Sequence, residues 1–84
     1  MRIEVIGSGC KKCKMLFDLT QEVAEELGVH DGVAYSTDIT KILNLGLVSS
    51  PVVTIDGDPV VVGVLPSREK LTQIISEKMS GALS

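Results

Sequence analysis

Apolar and polar positions change period several times along the chain, and each change marks an element. Residues 2–6, RIEVI, alternate polar and apolar with β-branched side chains, the pattern of a half-buried strand. Gly7-Ser8-Gly9 breaks that pattern. From Cys10 to Leu27 there is no Gly or Pro. Cys13, Leu16, Phe17, Thr20, Val23, Ala24 and Leu27 recur at the spacing of one helix face, while Glu22, Glu25 and Glu26 face outward. Gly28 is the expected stop.

Asp31-Gly32 reads as a turn and VAYS, residues 33–36, as a short strand. Ser36, Thr37 or Asp38 is placed to cap a second helix, whose apolar side is Ile39, Ile42, Leu43 and Leu45 and which Gly46 ends. The loop LVSS leads to Pro51. VVTI, residues 52–55, reads as a strand, DGDP, residues 56–59, as a tight turn, and VVV, residues 60–62, as the antiparallel return, with Gly63 marking a bulge. Pro66-Ser67 opens the last helix with Ser67 as its cap. Its expected buried stripe is Leu71, Ile74, Ile75 and Met79, and the tail GALS is expected to fray.

The order β-α-β-α-β-β-α predicts the α/β class: a four-stranded mixed sheet flanked by three helices. Helices are needed on both faces, because nothing else hides the runs 52–55 and 60–62. Eighty-four residues, 44% of them hydrophobic, are enough for one domain spanning 1–84 with a core of its own and no staples.

Composition narrows the function classes. The only aromatic residues are Phe17 and Tyr35, so a nucleic-acid binder that stacks bases is not expected. The net charge of −3 argues the same way. That charge is uneven, with a net +3 over residues 1–14 and −6 over the rest, so the positive end is the cysteine end. Residues 3–6 are too short an apolar run for a signal peptide. No stretch approaches the roughly 20 apolar residues of a membrane span, so the expected address is the cytoplasm. In that compartment a lone close cysteine pair reads as redox-active or metal-binding rather than as a structural disulfide.

Cys10 and Cys13 are the only cysteines, separated by Lys11-Lys12, on a turn between the first strand and the long helix. The first amides of a helix lack intrahelical partners and carry partial positive charge, so a thiolate placed there is stabilised. Lys11, Lys12 and Lys14 act in the same direction. Cys10, at the open start of the helix, is the expected exposed nucleophile. Cys13, one turn in and aligned with Leu16 and Phe17, is the expected buried resolving thiol. The residues alone leave three uses open: thiol exchange, a soft-metal grip, or packing.

The strand, G-S-G-C-K-K-C, the long helix, and then Ser-Pro ahead of VVTIDG with its D-G-D hairpin resemble the thioredoxin/glutaredoxin superfamily. The closest likeness is to the small prokaryotic thioredoxin-like proteins with a redox-active disulfide, and it runs from Arg2 to Met79. The resemblance implies a cis-proline at Pro51 beside the cysteine pair, with Ser50 pairing its backbone to the substrate chain. It implies a thiol–disulfide oxidoreductase in electron transport, with no bound cofactor and no metal. The implied partners are a disulfide-containing protein substrate and a separate reductase as electron donor, with no nucleic acid and no membrane, and the protein is expected to be a monomer. Lys11 and Lys12 are assigned electrostatic tuning of Cys10.

The chain departs from the family pattern in four places. No Trp precedes Cys10. Lys11-Lys12 stands between the cysteines in place of Gly-Pro or Pro-Tyr. Glu4 is the only acid of the first strand and is expected to face away from the cysteines. Gly63-Val64-Leu65-Pro66-Ser67 stands where glutaredoxins hold glutathione. The rival use is a Cu(I) or other soft-metal carrier with the same C-x-x-C pair. Against it stand Ser8, where such carriers have Met, and a chain that ends on a helix. A closed zinc site needs four ligands, and the chain offers Cys10, Cys13 and a distant His30. His30 reads as a surface residue, Met15 as helix surface or core edge, and Tyr35 as a sheet residue.

Overall fold

The computed structural model describes residues 2–29 and 32–79. Its elements are β1 (Ile3–Ile6), α1 (Lys11–Glu26), β2 (Val33–Ser36), α2 (Ile39–Asn44), β3 (Val52–Ile55), β4 (Asp58–Val62) and α3 (Arg68–Met79), the order expected from the sequence. The four strands form one mixed sheet in the order β2-β1-β3-β4. β1 is parallel to β2 and antiparallel to β3, and β3 is antiparallel to β4. Helices cover both faces, as the buried runs of the sequence predict. The turn at Asp31, His30 and the tail GALS lie outside the described residues.

Strand pleating assigns the faces. Ile3 and Val5 of β1, Val53 and Ile55 of β3 and Val61 of β4 point to the side of α1 and α3. They meet Leu16, Val23, Ala24, Leu71 and Ile75 in the larger core. Ile6 and Val52 point to the other side and meet Ile42 of α2, with Leu45 and Leu47 packed around them. β1 is therefore buried on both faces rather than half-buried, because it is a central strand and α2 closes its second side. Of the 60–62 run only Val61 is buried; Val62 is exposed, since β4 is an edge strand.

Local chemistry sets the helix ends. α1 starts at Lys11 with Cys10 as its N-cap, and it stops at Leu27 before Gly28, whose φ of 80° suits glycine. Asp38 caps α2 through the Thr40 amide, at 3.1 Å. The Ser67 hydroxyl accepts from the Lys70 amide at 3.2 Å at the start of α3.

Four expectations are corrected. The β3–β4 turn is Asp56-Gly57 alone, with φ of 52° and 89°, so Asp58 and Pro59 belong to β4. Pro59 is tolerated because β4 is an edge. The bulge falls at Val60, since Val53 pairs with Val61 and Thr54 with Pro59; Gly63 lies beyond the strand. Ile39 and Leu43 of α2 are exposed, because this helix of six residues presents only Ile42 to the sheet. Met79, in the last turn of α3, is also exposed, so the buried stripe of that helix ends at Ile75. Among the described residues, no helix is long and apolar enough to cross a membrane.

Candidate functional site

The two cysteines meet where β1 runs into α1. Gly9, with φ of 85°, turns the chain so that Cys10 adopts an extended conformation and begins the helix. Cys10 is exposed and Cys13 is buried. Both are free thiols, and their sulfurs lie 2.9 Å apart. The Ser8 hydroxyl stands 4.0 Å from the Cys13 sulfur.

This setting moves the Cys10 pKa down from the ordinary thiol range to about 7. The largest cause is the hydrogen bond with the Cys13 thiol. The Cys13 amide follows; desolvation opposes them to a lesser degree, and Ser8 and the Lys12 amide add smaller lowering effects. In the neutral thiol form the Cys10 side chain makes no capping hydrogen bond. A thiol sulfur is a weak acceptor, so the helix amides act on the charged form. The lowering thus comes through hydrogen bonds at the helix start. The Lys12 ammonium reaches the Gly63 carbonyl at 3.3 Å instead, and Lys11 is exposed.

Pro51 stands beside the pair, just ahead of β3. The Ser50–Pro51 peptide bond is cis, Pro51 is buried and Ser50 is exposed. Gly7 stands between Pro51 and the cysteines. A Cβ on Gly7 would lie 2.5 Å from the Cys13 sulfur, 2.7 Å from its Cβ and 3.7 Å from the Pro51 Cβ. Gly63 completes the rim: its amide donates to the Pro51 carbonyl at 2.7 Å, and a Cβ on it would come within 2.9 Å of the Ser49 Cβ. Cys10, Cys13, Lys12, Ser50 and Pro51 thus converge on one end of the sheet. Glu4 does not. It lies on the α2 face, paired with Lys41 at 2.7 Å.

Sequence reasoning missed Gly7, Gly63 and Tyr35. Gly7 carried a signal, a glycine three residues before the pair, but it read only as a strand breaker. The Tyr35 ring packs on Phe17 with centroids 5.3 Å apart, and its hydroxyl oxygen is buried without a hydrogen-bond partner among the described residues. Burial pushes its pKa up, and negative charge on Cys13 and then Cys10 pushes the same way. The Gly9 amide opposes them without completing a hydrogen bond. Among the described residues, no group of three or more His, Cys, Asp and Glu side chains is arranged to hold a metal ion.

Comparison with known proteins agrees with this geometry. The family model described as thioredoxin domain matches residues 1–76. The chain is 32% identical over 76 residues to a thioredoxin of Methanothermobacter thermautotrophicus, an alignment covering 90% of this chain and 99% of that protein. It is 29% identical over 79 residues to a thioredoxin of Methanocaldococcus jannaschii, covering 94% of this chain and 91% of that one.

Proposed function

Because the chain belongs to the thioredoxin domain family and is a thiol–disulfide oxidoreductase, we propose that it exchanges its Cys10–Cys13 dithiol with disulfides of protein substrates. The observation that carries this reading is the pairing of unlike thiols 2.9 Å apart: one exposed with a pKa of about 7, the other buried. At neutral pH a large share of Cys10 is thiolate, the nucleophilic form.

Cys10 attacks one sulfur of the substrate disulfide. The Cys10–substrate bond forms as the substrate S–S bond breaks, and the departing thiolate takes a proton from solvent. Cys13 then attacks the Cys10 sulfur. The Cys10–Cys13 bond forms, the mixed disulfide breaks, and the proton from Cys13 ends on the second substrate thiol. The pair has given up two electrons, and a separate reductase returns them. Ser50 and Pro51 orient the incoming backbone beside Cys10, and Lys11 and Lys12 add positive potential at the exposed thiolate. The protein acts as a monomer in the cytoplasm, with no bound cofactor.

The test is a titration of the pair against a thiol–disulfide buffer, with a disulfide-bonded protein as substrate for wild type, Cys10→Ser and Cys13→Ser. A reversible midpoint is expected, with a mixed disulfide trapped only in Cys13→Ser. No reversible disulfide, together with stoichiometric Cu(I) binding, would overturn the reading in favour of metal carriage.

A further inference from the structure

We propose that Tyr35 is a positioning residue for the second step, its buried hydroxyl donating a hydrogen bond to the Cys13 sulfur when that sulfur carries negative charge. This rests on the exchange reading above.

The need comes from burial. Cys13 is wholly inaccessible, and a buried anion without a hydrogen-bonding partner is costly. β1 offers no carboxylate to manage the proton, because Glu4 is on the opposite face with Lys41. The groups in hydrogen-bonding contact with the Cys13 sulfur are the Ser8 hydroxyl at 4.0 Å and the Cys10 thiol at 2.9 Å before it reacts, while the buried Tyr35 hydroxyl has no partner in this state. Once Cys10 is tied up in a mixed disulfide it no longer donates, which leaves Ser8 at 4.0 Å and a place for a second donor. The other charged groups near the helix start, Lys11, Lys12 and Lys14, are exposed. What α3 and β3 present to this core, at Leu71, Ile75 and Val53, is apolar.

The supply is the orphaned hydroxyl. A buried donor with no acceptor costs stability, so the position is unfavourable unless an acceptor arises in some state of the molecule. Strand pairing holds Tyr35 next to Gly7, the residue that packs against Cys13. Tyr35 pairs with Val5 across β1–β2, the Gly7 amide donates to the Ser36 carbonyl at 2.9 Å, and Phe17 packs on the Tyr35 ring. These contacts fix the strand end beneath the turn that leads to Cys10. The upward push on the Tyr35 pKa keeps it a neutral phenol at working pH, so it donates without giving up its proton.

The test is Tyr35→Phe, which keeps the ring and its contact with Phe17. A Cys10 mixed disulfide with 5-thio-2-nitrobenzoate is prepared, and release of the coloured thiol by Cys13 is followed against pH by stopped flow. Losing one charge-assisted hydrogen bond should raise the pH midpoint of release by about one unit, leaving about tenfold less thiolate at neutral pH. Each remaining thiolate is about threefold more nucleophilic, because reactivity rises with basicity with a slope of about 0.4–0.5. Release should therefore be about threefold slower near pH 7 and about threefold faster above both midpoints, with an unchanged or raised urea midpoint. Equal slowing at every pH with a lowered urea midpoint, or an unchanged profile, overturns the role given to Tyr35. No release from wild type at any pH overturns the exchange reading on which it rests.

Discussion

Replacing Gly7 by Ala tests the packing at the heart of the site. The new methyl would sit 2.5 Å from the Cys13 sulfur and 2.7 Å from the Cys13 Cβ. Carbon contacts are comfortable at about 3.5–4.0 Å, so both atoms are too close by roughly 1 Å. Neither can swing away cheaply: Cys13 is wholly buried and its Cβ is fixed to the α1 backbone, so the end of β1 and the start of α1 must separate. Overpacking of this kind costs about 1–3 kcal/mol. Taking about 2 kcal/mol, and a shift of about 4–8 °C in Tm per kcal/mol for a chain of this size, the reduced protein should melt about 8–16 °C lower. Urea unfolding of the reduced form measures the free energy. The same substitution in a Cys13→Ala background isolates the cause, since the sulfur contact is gone while the Cβ contact remains. The penalty should fall there, with a coupling of about 0.5 kcal/mol or more. Additive penalties, or a single-variant change below about 0.5 kcal/mol, would refute the close approach of Gly7 to Cys13.

Three further outcomes are expected. Alkylation of Cys10 by iodoacetamide should rise with a midpoint near pH 7 and vanish in Cys10→Ser; because the folded pKa is depressed, the stability Cys10 lends the reduced protein is full above the unfolded thiol range and lost as pH falls through about 7, which reduced-state urea midpoints against pH would show. Leu71→Ala, at a fully buried position, should cost about 2–5 kcal/mol in urea unfolding, whereas Met79→Ala, at an exposed one, should cost less than about 0.5 kcal/mol. Arg68→Ala breaks the exposed ion pairs from α3 to Glu22 and Glu26 of α1 and should shift stability by less than about 1 kcal/mol, less still at high salt.

The order of elements was legible because periodicity is local. The run from Cys10 to Leu27 could only be a helix, and VVTI between a proline and an Asp-Gly could only be a strand. What escaped depended on partners far along the chain. β1 looked half-buried because nothing in RIEVI tells that α2 will cover Ile6. The bulge at Val60 is hidden in three identical valines, and Asp58-Pro59 carried so much turn chemistry that it masked a strand start. The cysteine pair was legible from its spacing and its place before a helix. The tuning of Cys10 was read from the lysines, while the lowering of its pKa comes chiefly from the Cys13 thiol and amide, contacts that exist only once the turn has formed. Tyr35 carried no signal at all, since a tyrosine in a short strand is ordinary and its lack of a partner appears only on folding.

Register explains why Pro51 and the cysteines share a site although they lie far apart in the chain. β1 and β3 run antiparallel with Ile6 opposite Val52, so the next residue out on β1, Gly7, comes beside the next residue out on β3, Pro51. Gly7 continues the alternation of Ile3 and Val5, and Pro51 that of Val53 and Ile55, so both fall toward α1, where a Cβ on Gly7 would stand 2.5 Å from the Cys13 sulfur and 3.7 Å from the Pro51 Cβ. The two supports are unequal: α1 rests on the larger cluster through Leu16, Val23 and Ala24, whereas the loop before β3 rests on Ile6, Ile42 and Val52. Segments held by fewer buried side chains open at lower free energy, so the loop before β3 should open more readily than the start of α1. A slip of one residue in the β1–β3 pairing would move Pro51 away from Gly7 and also turn Val53 and Ile55 out of the larger core. The hydrophobic alternation that folds the sheet is therefore the same constraint that brings the two halves of the site together.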